Sequence, residues 1–196
     1  FELGGIILSS NKPEAGVEIL HEIWKTSDDI ELTVKSAILI AEYFIDNDPE
    51  KSINYIEKYQ TVTDADLNKT ILLMLVRAYI KTEKYDKAEI VIHLFSDKYP
   101  YDQNIDEINF SKGIVSLQKG ELDNALEIFN NIKKENPFSK FINDTEYYMA
   151  LVSYKKGKTD EAASYLRTYT ERKSVNKLYD AYYLLAEIYI SSGDLK

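Results

Sequence analysis

The 196 residues contain no cysteine, four prolines, seven glycines, two histidines and one tryptophan. Without cysteine there can be no disulfide staple, thiolate metal site or cysteine nucleophile. That absence fits any compartment and mildly suits an oxidising one. So little glycine and proline suits helices joined by short turns. The longest apolar run, Ile71 to Val76, is far too short to cross a bilayer. Lys155, Lys156 and Lys158 are the nearest approach to a basic cluster. That is too little to track a phosphate backbone, so nucleic acid is not expected as a partner. No G-x-S-x-G, H-E-x-x-H, P-loop or G-x-G-x-x-G pattern occurs. His21 and His93 lack a second ligand at metal spacing: Glu89 lies four residues before His93, but two residues do not make a site. No catalytic residue, cofactor or metal is therefore expected.

The chain does have the composition of a globular protein, 44% hydrophobic and 29% charged with a net charge of -9. Residues 1–98 carry 18 acids against 11 bases and residues 99–196 carry 15 against 13, with no acidic tail. It also has a period. Gly120, Gly157 and Gly193 are 37 and 36 residues apart, and Ser52, Ala88, Ala125 and Ala162 are spaced 36, 37 and 37. Asn11-Lys12-Pro13-Glu14 recurs 36 residues later as Asn47-Asp48-Pro49-Glu50. A fixed period of this size marks a solenoid in which one helix pair is the unit.

The clearest unit runs from Lys69 to Pro100. Leu72, Leu75, Val76 and Tyr79 form an apolar stripe at helical spacing, and Glu83-Lys84-Tyr85 makes a turn. A second helix follows with Ala88, Ile92 and Phe95 on its buried face. The next units repeat this with Gly113, Gly120, Ala125, Phe129, Ile132 and Pro137, then with Ala150, Gly157, Ala162, Leu166 and Tyr169. Small residues mark the closest approach of the two helices, and the turn glycines suit left-handed helix ends. Further helices are expected over Asp29–Asp46, from Pro13, from Pro49 and over Lys177–Ser191, with a stub at Phe1–Ser9 weakened by Gly4 and Gly5. Trp24 is assigned to the inside of the helix from Pro13. Asn109, Lys112, Glu146 and Ser153 stand where apolar residues belong, which allows a one-residue slip in those helices.

This pattern resembles the tetratricopeptide repeat. The resemblance covers the whole chain as about five and a half units, approximately 1–28, 29–64, 65–101, 102–137, 138–175 and a partial 176–196. It implies an all-α, right-handed α-solenoid of antiparallel helix pairs. The closing half-unit is expected to belong to a longer protein, and any signal peptide or lipid anchor to lie upstream of Phe1. Asn136-Pro137-Phe138-Ser139 and Asp180-Ala181-Tyr182-Tyr183-Leu184-Leu185-Ala186 look like stretches of bacterial envelope repeat proteins of the BamD and CpoB type. The Lys, Ile, Asn and Tyr usage looks bacterial.

In that family the first helix of each pair lines a concave groove. The groove positions project onto Phe44, Leu73, Arg77, Ile80, Phe110, Ile114, Leu117, Tyr147, Leu151, Tyr154, Tyr183 and Ile190. The family's carboxylate clamp needs Lys and Asn, and only Arg77 and Lys81 are basic at equivalent places. The expectation is a non-catalytic protein-binding scaffold holding an apolar or amphipathic segment. The protein or peptide partner is unnamed, and the setting is a periplasmic or envelope complex, with a cytoplasmic regulatory or secretion adaptor as the alternative. Self-association through the terminal helices is the third possibility. Replacing Tyr147 and Tyr154 by Ala is expected to abolish capture without unfolding the chain. Charge reversal at Glu127 or Lys133 is expected to matter little.

Overall fold

The structure, a computed structural model, describes residues 13–172 and 177–192. The Phe1–Ser9 stub and Gly193 lie outside the described residues. Within them the chain forms ten α-helices and no strand. Contacts divide it into two compact units, Phe1–Pro100 and Tyr101–Lys196. The first holds α1 (Pro13–Thr26), α2 (Ile30–Phe44), α3 (Pro49–Ile56, continued by a 3₁₀ turn at Glu57–Tyr59), α4 (Ala65–Lys81) and α5 (Tyr85–Lys98). The second holds α6 (Ile105–Gln118), α7 (Leu122–Glu135), α8 (Ile142–Lys155), α9 (Thr159–Thr170) and α10 (Leu178–Ser192).

Local chemistry sets the helix ends. Asp29, Asp48 and Asp64 accept backbone N–H groups of the first turns of α2, α3 and α4, and Pro49 occupies the first turn of α3. The turns inside α4/α5, α6/α7 and α8/α9 are built alike. Glu83, Gly120 and Gly157 take φ of 58°, 81° and 74°. The next N–H reaches back five residues: Lys84 to Tyr79 at 2.8 Å, Glu121 to Ser116 at 2.8 Å and Lys158 to Ser153 at 2.9 Å. This is the Schellman arrangement, which satisfies carbonyls the helix end leaves open. Glycine adopts this backbone freely, whereas Glu83 is held there at a cost.

The even-numbered helices open each pair and the odd-numbered ones close it. Ser52, Ala88, Ala125 and Ala162 are all fully buried. Each is followed at four and seven residues by a large side chain, as in Ala88/Ile92/Phe95, Ala125/Phe129/Ile132 and Ala162/Leu166/Tyr169. α1 repeats the pattern with Gly16/Leu20/Ile23. Phe129 packs so tightly on α6 that a Cβ at Gly113 would stand 2.5 Å from its ring. No register slip occurs at the polar positions. Asn109 is exposed and Lys112 half-buried. Glu146 is buried but paired with Lys133 at 3.1 Å and Arg172 at 2.7 Å.

A polar tie also closes the open end of the α4/α5, α6/α7 and α8/α9 hairpins. Lys98 and the Tyr99 hydroxyl both donate to Asn68 Oδ1 at 2.8 Å. Asn136 donates to Asp106, and the Arg172 guanidinium donates to Asn143. The three ties span 29 to 31 residues and join the start of one helix to the end of the next.

Candidate interaction face

In the first unit α2 and α4 lie side by side and flank a cleft. It is lined by Glu42 and Ile45 at the end of α2 and by Thr70, Leu73, Met74 and Arg77 of α4. Leu73 is buried in it and Arg77 is exposed at its edge. Glu42, Ile45 and Thr70 were not anticipated, because polar and apolar residues alternate there and no single stripe announces the face. Ile80 is half-buried. Lys81 pairs with Asp46 at 3.0 Å. Phe44 turns toward α3: its ring stacks on Tyr55 at 6.4 Å, with the Lys51 ammonium 5.0 Å above it.

In the second unit the expected positions divide. Ile114 and Leu151 are half-buried on α6 and α8 and keep part of their surface open. Tyr154 is also half-buried, and its hydroxyl donates to Glu187 Oε1 of α10 at 3.0 Å. That bond holds the phenol above its ordinary pKa. The other expectations are corrected. Phe110 is buried, stacked on Phe141 at 4.9 Å and against Tyr148 at 5.4 Å and Phe129 at 6.0 Å. Leu117 is buried in the same cluster. Tyr147 is buried against Tyr169 at 5.6 Å, and burial raises its pKa. All three are core residues, Phe110 and Leu117 in a cluster shared by α6, α7 and α8 and Tyr147 against α9, so the double Tyr147/Tyr154 replacement would damage the fold. Lys133 pairs with buried Glu146, so reversing its charge would not be neutral either. Tyr183 and Ile190 of α10 are exposed.

One cluster outside the expected face departs from the repeat. His21, Trp24 and Tyr55 meet with ring centroids 5.0–5.9 Å apart, His21 Nδ1 lies 2.8 Å from the Tyr55 hydroxyl, and Lys58 stands 4.5 Å over Trp24. With Lys51 and Asn54, the three rings line a shallow pocket, so Trp24 is a surface-pocket residue as much as a core one. Its only sequence signal is that Trp24 is the sole tryptophan. His93 is exposed. Among the described residues no group of three His, Asp or Glu side chains is placed to hold a metal ion, and no helix is long and apolar enough to cross a membrane.

Residues 32–172 match the family described as tetratricopeptide repeat protein 21 ARM repeat, and the chain belongs to that family of helical repeats. No curated protein sequence matches it significantly. Among solved structures, MamA of MSR-1 is similar with a TM-score of 0.62 at 17% identity, covering 87% of this chain and 92% of that one. MamA of AMB-1 aligns with a TM-score of 0.61 at 16% identity, covering 91% and 93%. BtubC (BKLC) of P. vanneervenii aligns with a TM-score of 0.63 at 15% identity, covering 92% and 82%. At such identities the likeness is one of fold.

Proposed function

We propose that this chain is a non-catalytic protein-interaction scaffold, and that it holds an amphipathic helix or extended apolar segment of a partner along the open face of α6 and α8, the opening helices of its second unit. The observation that carries this is the pair Ile114 and Leu151 of the second unit. Each occupies the same position of successive opening helices, 37 residues apart, and each keeps surface open while its neighbours on either side are buried. An apolar pair of this kind suits a peptide with apolar anchors better than a carboxylate clamp, which would need cations. The family membership supports a scaffold. Stretches resembling envelope repeat proteins favour a bacterial envelope complex over a cytoplasmic adaptor.

The test is affinity capture from native cells with Ile114→Arg plus Leu151→Arg. The pair should keep the thermal midpoint within a few degrees of the parent and lose the captured partners. Glu127→Arg, on an exposed position of α7, should keep them. Retention of the same partners by the double variant overturns the reading.

A further inference from the structure

The pocket of His21, Trp24 and Tyr55 lies within the first unit, walled by two successive closing helices, α1 and α3. The repeat does not require these residues. In the later closing helices the place of Trp24 holds Gln60, Ser96, Lys133 and Thr170, and the place of Tyr55 holds Val91, Ile128 and Tyr165. Nor does the repeat supply a helix to cover the pocket. Asn54 lines it and is exposed, and so are Ile90, Glu127 and Ser164, the equivalent residues of α5, α7 and α9. The walls are mainly ring surface: His21 Nδ1 is hydrogen-bonded with the Tyr55 hydroxyl at 2.8 Å, and the Trp24 Nε1–H is buried.

We infer that this pocket is a docking site for an acidic linear segment of a partner protein, in which one aromatic side chain packs on the Trp24 and Tyr55 rings and flanking Asp or Glu side chains meet Lys51 and Lys58. Charge selects the flanks. The Lys58 ammonium stands 4.5 Å over the Trp24 ring, and Lys51 is part of the pocket wall. A cation entering here would meet an ammonium already seated on the tryptophan, so the rings are no cage for a quaternary ammonium group, whereas an anion beside an apolar body is attracted. Size selects the anchor. The cavity, about 270 Å³, is smaller than the sites that enclose a whole small molecule and has room for one large side chain. An aromatic anchor gains ring-on-ring contact there that an aliphatic one does not. A second copy of this chain is disfavoured as the occupant, because copies each carrying a net charge of -9 repel.

Trp24 is the sole tryptophan, so its fluorescence reports on this pocket alone. The probe is the peptide acetyl-Glu-Asp-Phe-Asp-Glu-amide, added to the full chain. The emission should change saturably with a Kd below about 1 mM. Binding should weaken as salt is raised from about 0.05 to 0.5 M. The same peptide with Ala in place of Phe should not bind in that range. Lys51→Glu plus Lys58→Glu, both at exposed positions, should weaken binding about tenfold and keep the unfolding midpoint. The inference is overturned by no saturable change, by equal binding of the alanine peptide, or by affinity indifferent to both salt and the charge reversals. It is also overturned by phenylacetate binding as tightly as the peptide, or by sedimentation showing a dimer of the free chain that the charge reversals dissolve. Each of those results leaves the Ile114–Leu151 reading standing.

Discussion

Hairpins α4/α5 and α6/α7 fill the same contact in opposite ways. In α4/α5 the two facing positions hold Val76 and Ile92, both buried. In α6/α7, 37 residues on, they hold Gly113 and Phe129, and the ring lies where a side chain on α6 would be. The turns differ similarly: Glu83 stands at the left-handed position where Gly120 stands in the next hairpin. The register fixes where helices touch, and the volume is then shared between the two sides in whatever proportion fills the gap.

The sharpest break in this comparison is Gly113→Val. A Cβ would meet Phe129 ring atoms at 2.5 and 2.7 Å, so the ring must leave its site. We expect a loss of about 3 kcal/mol by denaturant unfolding. Adding Phe129→Ile recreates the α4/α5 pair and should recover more than half of that loss. A double variant no more stable than Gly113→Val would show that volume is not exchanged across this contact. Next in size is enlargement of the small closing residue. Ala88→Leu, Ala125→Leu and Ala162→Leu should each cost about 1–3 kcal/mol, and unchanged midpoints in all three would contradict the packing register.

That register was readable from the spacing of Ser52, Ala88, Ala125 and Ala162, because close approach forbids large side chains whatever the surroundings. The interaction face was less readable. Phe110, Leu117 and Tyr147 are apolar and stand three or four residues from Ile114 or Leu151, only about 40–60° round the helix, so helical phase alone does not separate them. Composition does not separate a side chain sealed in the core from one that keeps surface open; packing against Phe129, Phe141 and Tyr169 does. The polar ties were invisible because the chemistry changes each time, Asn with Lys and Tyr, then Asp with Asn, then Asn with Arg.

A smaller effect should separate the turns. Glu83→Gly relieves a strained backbone and should stabilise by about 0.5–1 kcal/mol, while Gly120→Ala should destabilise by a similar amount. Equal and opposite results would confirm that the two turns differ only in that strain, and no change in either would contradict it.

The smallest difference is acid sensitivity. Glu57 is held below its ordinary carboxyl range by hydrogen bonds from Lys87 and Tyr79. Positions 116 and 153, equivalent to Tyr79 in the second unit, are serines, so the second unit lacks this phenol. A depressed carboxyl stabilises the fold above the unfolded value and loses that contribution as the pH falls through the folded one. The pair is partly exposed, so the effect should stay below about 1 kcal/mol. Glu57→Gln should flatten the decline in stability of the first unit below about pH 5 and leave the second unit's exchange rates unchanged. An unaltered acid profile would contradict the assignment.

The most direct measurement of where this protein holds its partner is site-specific photo-crosslinking in native cells, with a photoreactive side chain placed in turn at Ile114, Leu151 and Glu127. We predict the same crosslinked partner from positions 114 and 151 and none from 127. A partner captured from 127 alone, or equally from all three positions, would contradict an interaction face on the opening helices.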